Sequence, residues 1–270
     1  MAQSDSSLRT PLYGWHVAAG ARMAPFAGWM MPIQYRGILA EHAWTRSSVS
    51  VFDTCHMGQF LIEGDADDCG LERVVCRRLG DAPVGACRYG LFLNEDGGIV
   101  DDLIACRLGP RRWLLVVNAG TCRRDEEYLS RFLADPSCVK NLTGEVGKID
   151  VQGPLSRSVL EDLFGLRLSS LRFYQGMTAT VLGAPAVVTR TGYTGEPGYE
   201  ISVPAEKVVA VWERLLSDER VRPAGLGARD TLRLEMAYPL SGQDIDEAHT
   251  PLQAGLERFV EFGKEFVGRQ

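Results

Sequence analysis

With 270 residues, 45% of them hydrophobic and 24% charged, the chain can fill one large core or two modest ones and is not a disordered polymer. A net charge of −6 and a pI near 5.4 exclude the basic stripe of a nonspecific nucleic-acid binder, so any anionic substrate must be met by local arginines. Seven cysteines, an odd number without a Cys-x-x-Cys pair, imply neither a disulfide framework nor a zinc site, and the four histidines lack metal-ligand spacing, so no metal is expected.

The N-terminal string MAQSDSSLRT has no apolar signal core, and no run of about 18 apolar residues follows it, so neither a leader nor a membrane partner is expected and the compartment read from the sequence is cytoplasmic. Helices are predicted over 41–47 and 65–78. Three short apolar segments, 82–92, 98–107 and 112–118, then form an antiparallel meander turned by Gly97-Gly98 and Gly109-Pro110. Helices over 121–133 and 156–164 flank 136–147, the best crossing point between domains. A hairpin joins the β-branched run 186–191 to an alternating strand around Ile201 and Val203. Helix 206–216 has an apolar face of Val208, Val209, Trp212, Leu215 and Leu216, and a last helix begins near Leu226. Strands and helices mix without a βαβ repeat or a phosphate-binding loop, which makes the chain α+β.

Two segments are dense in chemically expensive residues, TRTGYTGEPGYEI from Thr189 and GLGARDTLRLEMAYPLSGQDIDE from Gly225. In the first, Gly192, Gly195 and Gly198 break any helix, and Pro197-Gly198 suits the centre of a type II turn. Tyr193, Tyr199 and Glu200 then sit at a hairpin rim, where aromatic faces and a carboxylate suit a flat, hydrogen-bonding heterocycle. Arg229 falls in the first turn of its helix, where the macrodipole disfavours a cation. A carboxylate such as Glu200, or an anionic ligand, is expected to compensate, most strongly through a bidentate contact. Asp101 and Asp102 follow a Gly-Gly turn on a strand and point to opposite faces, so only one can face a ligand, and parity does not choose between them. Cys55-His56 lacks an orienting partner for a nucleophile.

The ordered strings TPLYGWH, FAGWMMPIQY, VFDTCHMGQ, NEDGGIVDDL, LLVVNAG, VQGP, GYTGEPGYE and GLGARDTLRLE, spread over 8–269, resemble the glycine cleavage system T-protein (aminomethyltransferase) family. The resemblance implies an aminomethyltransferase folate-binding fold of two mostly antiparallel α/β-type domains around a central channel. Residues 1–50 and 145–240 would form a discontinuous first domain, with 51–144 inserted as the second. Segment 241–270 would be the start of a truncated C-terminal segment, with the family's C-terminal β-barrel absent. The implied reaction transfers an aminomethyl carbon from the lipoyl arm of the H-protein to tetrahydrofolate, the co-substrate, with release of ammonia. Its catalytic aspartate matches Asp102, its pterin-gripping carboxylate Glu200 and the accompanying arginine Arg229. Tyr89, Met57, Asn118 and Tyr193 match positions lining the folate channel. Alternatives with the same fold are a folate-dependent demethylase or methyltransferase, a non-catalytic folate-binding factor of iron–sulfur assembly, and a shortened remnant of low activity. The full T-protein strings favour the first reading. The assembly factor's signature has only a partial counterpart in GACRYG from Gly85.

Overall fold

A computed structural model describes residues 7–270; residues 1–6, on which part of the N-terminal reading falls, lie outside the described residues. In chain order the elements are α1 (Tyr13–Ala18), β1 (Arg22–Phe26), β2 (Trp29–Gln34), α2 (Ile38–Ser47), β3 (Val49–Asp53), β4 (Gly58–Glu63) and α3 (Leu71–Val74). There follow β5 (Cys87–Leu93), β6 (Ile99–Gly109), β7 (Arg112–Val117), α4 (Cys122–Phe132), β8 (Val139–Asn141), β9 (Val146–Gln152) and α5 (Ser156–Phe164). The chain continues through β10 (Gly176–Val181), β11 (Ala184–Thr189), β12 (Gly198–Pro204), α6 (Val208–Leu216), β13 (Val221–Pro223) and α7 (Leu226–Glu235). No helix among the described residues is long and apolar enough to cross a membrane.

The chain divides into two compact units. The first takes the residues up to His56, then Gly144–Phe173 and Thr178–Tyr238; the second takes Met57–Thr143, Tyr174–Met177 and Pro239–Gln270. Strand β3 belongs to the first unit because it pairs with β9 and β13, and the crossing after Thr143 lies inside 136–147.

A six-stranded sheet of order β10-β11-β12-β9-β3-β13 organises the first unit. Its register places Val51, Val151 and Tyr199 in one row and Asp53, Ile149 and Ile201 in another, all on one face of the pleat. Helices α5 and α6 cover that face with the buried Val159, Leu160, Val211, Trp212 and Leu215. On α6, Val211 is buried and Val209 and Leu216 are only half-buried, so the apolar stripe is narrower than the sequence suggests. The other face carries Phe52, which packs with Ala224, Ala228 and Leu232 of the α7 region, beside the polar row Lys148, Asp150, Gln152 and Glu200.

The second unit holds a five-stranded sheet of order β5-β6-β7-β4-β8, in which β5, β6 and β7 form the expected meander. Phe60, Ile62, Trp113, Leu115 and Leu129 are among its core residues. A second apolar cluster joins Leu91, Leu93 and Ile99 to Ile245, Leu256 and Phe266, so segment 239–270 is built into this unit.

The helix expected over 65–78 shrinks to the four residues of α3. Gly70 in a left-handed conformation starts it late, and the β-branched pair Val74-Val75 leads into extended chain whose Cys76 amide donates to Leu91 O at 3.1 Å. The type II turn expected at Pro197-Gly198 is also absent, because Gly198 lacks the positive φ that turn requires and is the first residue of β12. Gly195, at φ 81°, supplies the left-handed residue.

Candidate functional site

In the first unit, strand alternation places Lys148 and Asp150 on the same face of β9, and the register sets Glu200 of β12 directly opposite Asp150. Two carboxylates facing each other across strands repel. Two cations offset them. Lys148 Nζ lies 2.6 Å from Asp150 Oδ1 and 3.1 Å from Glu200 Oε1, while Arg229 Nη1 donates to Asp150 Oδ2 at 2.6 Å. Burial opposes ionisation of Asp150, but Lys148 and Arg229 outweigh it and hold its carboxyl down at about 2. Burial raises the Glu200 carboxyl, against the charges of Lys148 and Arg229. The Glu200 side chain keeps 12% of its surface exposed, against 0% for Asp150, so Glu200 is the one a ligand can reach.

The compensating partner of Arg229 is therefore Asp150, and the contact is through one guanidinium nitrogen rather than a bidentate pair with Glu200. Glu41 adds a second correction at the same helix end, since its Oε2 accepts from the Gly225 amide at 2.9 Å and places a carboxylate at the start of α7. The Arg229 guanidinium lies 5.0 Å from the Tyr193 ring centroid, and Tyr193 stacks on Tyr238 at 5.8 Å. Tyr199, read from the sequence as part of the rim, is instead buried on the apolar face, at 2% exposure.

The glycine-rich segment is wrapped around Gln152. A Cβ at Gly192 or Gly198 would fall 2.1 Å from Gln152 Oε1, which is why glycine stands at both positions. Thr194 Oγ1 donates to Gln152 Oε1, and Gln152 Nε2 donates to Thr191 O at 3.2 Å. Arg46 of α2 ties the same segment to the end of α7, donating to Thr194 O, Glu196 and Glu235.

The second unit contains the aspartate pair. Asp101 is fully buried and Asp102 half-buried. The two do not diverge as alternation predicts: the Asn118 amide donates to Asp101 Oδ1 at 2.9 Å and to Asp102 Oδ1 at 2.7 Å. A bulge at Val100, where the β5–β6 register slips, twists the strand beside them and re-aims the side chains. Asp101 also accepts from the Asn118 backbone amide and from Ser241 Oγ at 2.8 Å, so it is spent on structure. Burial, and then the neighbouring Asp101 charge, push the Asp102 carboxyl up to about 7, against hydrogen bonds from Tyr89 and Asn118. Tyr89 packs edge-on against Phe259 at 4.6 Å, and Met57 is half-buried at the first position of this unit. Burial and then the charge of Asp101 push Asp125, on α4, up to about 9, so near neutrality it carries a proton beside Asp101.

The Cys55 thiol is buried and pushed well up by burial, and it donates to Lys148 O; burial brings His56 down to about 4. Neither has the makings of a nucleophile or base. The first unit thus brings together Glu200, Arg229 and Tyr193, and the second brings together Asp102, Asn118 and Tyr89. Sequence reasoning missed Lys148 and Asp150. Their signal was the Lys-Ile-Asp run before Val151, which puts two opposite charges on one face of an otherwise apolar strand.

Residues 12–264 match the family of GCVT N-terminal domains. An aminomethyltransferase of Halothermothrix orenii is 41% identical over 266 residues, which are 97% of this chain and 74% of the relative's length. Another, of Prosthecochloris aestuarii, is 40% identical over 269 residues with the same shares. The crystal structure of glycine cleavage system aminomethyltransferase T from Bartonella henselae matches with a TM-score of 0.89 at 38% identity, covering 97% of this chain and 72% of that one. A heterotetrameric sarcosine oxidase from Corynebacterium sp. U-96, at TM-score 0.51 and 16% identity over 73% of this chain, shares the fold alone. By its family match, its identity to curated enzymes and its structural likeness, the chain belongs to the aminomethyltransferase (GCVT) family of transferases.

Proposed function

We propose that the chain carries an aminomethyl carbon from a lipoylated carrier, the H-protein, to tetrahydrofolate, with release of ammonia. The observation that carries this reading is Glu200, a partly exposed carboxylate held by Lys148 on one oxygen and by Thr191 on the other. Each oxygen retains a lone pair, so the pair of acceptors fits the two-donor edge of a reduced pterin. Beside it, Tyr193 and Tyr238 offer stacked faces, and Arg229 lies over the first. Glu200, Arg229 and Tyr193 would hold tetrahydrofolate. When bound, it supplies the two nitrogens that receive the carbon.

Asp102 does the remaining work. As the bond from the aminomethyl carbon to sulfur breaks, positive charge develops on that carbon, and a fixed carboxylate stabilises it. With its carboxyl pushed up to about 7, Asp102 can also hold or give up a proton near neutral pH. Asn118 fixes its orientation. Seven free thiols suit a reducing compartment, and we place the reaction in the cytoplasm. The test is titration of the purified protein with tetrahydrofolate, then assay of ammonia release with aminomethylated, lipoylated H-protein. Saturable binding and multiple turnovers are expected; no binding, or binding without release, overturns the proposal.

A further inference from the structure

We infer that Lys148 is a positioning residue of the carboxylate site: its buried ammonium keeps Glu200 a two-oxygen acceptor, and Asp150 fixes both that ammonium and the Arg229 guanidinium. The inference deepens the proposed function and rests on Glu200 meeting a two-donor edge. Lys148 is 1% exposed, and its Nζ spans Asp150 Oδ1 and Glu200 Oε1 at 2.6 and 3.1 Å, with Thr54 Oγ1 at 3.3 Å. Thr54 in turn donates to Asp150 Oδ1 at 2.9 Å. An ammonium so deeply placed is retained only where its charge is matched, and here it is matched on two sides.

The charge balance around Glu200 makes this arrangement matter to a ligand. Burial and the facing Asp150 charge favour the protonated acid, while Lys148 and Arg229 favour the carboxylate. Facing groups are Lys148 and Asp150 from β9, Arg229 from α7 and Thr191 from the loop before β12; Tyr193 acts on Arg229, and both cations help hold the neighbouring His56 down. Lys148 contacts Glu200 directly, whereas the Arg229 hydrogen bond goes to Asp150. Without Lys148, Glu200 would take a proton, and its O–H would oppose one of the ligand's N–H donors. Binding would then weaken as pH falls, over a range moved up from that of the wild type.

Tetrahydrofolate dissociation constants, measured by intrinsic fluorescence from roughly pH 5.5 to 9, test the idea in wild type and three variants, each checked for folding by circular dichroism. Lys148→Met is expected to bind about tenfold or more weakly near pH 7 and to recover at high pH, its acid limb moved up by about one unit or more. Lys148→Arg should restore the wild-type profile. Asp150→Asn has the opposite sign, because loss of its charge should move the limb down, and it serves if Lys148→Met does not fold. A pH-independent loss in Lys148→Met, or an acid limb that stays put in both Lys148→Met and Asp150→Asn, overturns the inference. Absence of binding in the wild type would instead remove the proposed function on which it rests.

Discussion

The Asp101–Asp102 pair shows how neighbouring identical residues acquire different chemistry. Asp101 is fully buried and its oxygens accept from Asn118 and Ser241, so its charge acts mainly by raising Asp102. Asp102→Asn is expected to lower turnover by orders of magnitude while folate affinity stays within a few-fold, since the carboxylate acts on charge that develops in the transition state. Asp101→Asn should be milder and should shift the acid limb of the rate profile, near pH 7 from the Asp102 value of about 7, to lower pH. Steady-state rates across pH for both variants decide this, and equal losses would reverse the assignment. At the other carboxylate, Glu200→Ala should weaken tetrahydrofolate binding by about 1.5 to 3 kcal/mol, the range for hydrogen bonds to a charged group. Arg229→Ala should weaken it too, because it removes the cation over Tyr193 and leaves Asp150 with Lys148 as its remaining cation contact. Calorimetric titration measures both losses, and unchanged constants would dismiss the clamp.

At the scale of elements, the glycine-rich loop, β9 and α7 form one supporting assembly. Gln152 on β9 fills the space that side chains at 192 and 198 would need, and Arg46 fastens the loop to the end of α7. Gly198→Ala forces a Cβ to within 2.1 Å of the Gln152 amide oxygen, so either that side chain or the strand must move. A destabilisation of about 1 to 3 kcal/mol is expected, the usual range for overpacking, with weaker folate binding because Glu200 lies two residues along the same strand. Urea denaturation with the same titration checks both effects; a stable variant of normal affinity would show that the loop shifts freely. The long strings at the start of the chain also gain an explanation at this scale. Thr10 and His16 both hydrogen-bond Asp53, and Tyr35 bonds the other His16 nitrogen at 2.8 Å, so TPLYGWH, FAGWMMPIQY and VFDTCHMGQ meet in one network that joins α1, β2 and β3.

Across the whole molecule, buried His56 of the first unit and the raised aspartates of the second should answer pH in opposite ways. In the first, burial holds His56 down to about 4 from its ordinary value near 6.5, so the unfolded chain binds the proton first and stability is lost as pH falls from about 6.5 toward 4. Asp150, held at about 2, adds stability above its ordinary value near 4 that is lost as pH falls through about 2. In the second unit Asp125, pushed up to about 9, and Asp102, pushed up to about 7, work the other way: their contribution is full below about 4 and is lost as pH rises through those values. Hydrogen exchange followed by mass spectrometry between roughly pH 5 and 8, corrected for intrinsic rates, should show protection falling on acidification around β3 and His56 and rising in β6 and α4. Parallel trends in both units would refute the opposition.

The α+β class, the meander, the hairpin flanking the glycine-rich segment and the helix from Leu226 were legible in the sequence, because pleat alternation, turn residues and helical spacing are local properties of the chain. The shortened α3 and the displaced turn were less so, since β-branched residues and glycines there are compatible with more than one local conformation. Resemblance named Glu200, Arg229 and Asp102, but their partners lie beyond local reach. Asp150 meets Glu200 only through the register of β12 on β9, and it meets Arg229 only because α7 packs over Phe52. Asp101 and Asp102 are alike in strand context and separate only when Asn118, Ser241 and the bulge at Val100 close around the first and leave the second half-exposed. Periodicity along the chain determined which faces could be polar; the burial, charge and hydrogen bonding that give those polar groups their chemistry arise between segments distant in sequence, and only the tertiary structure decided them.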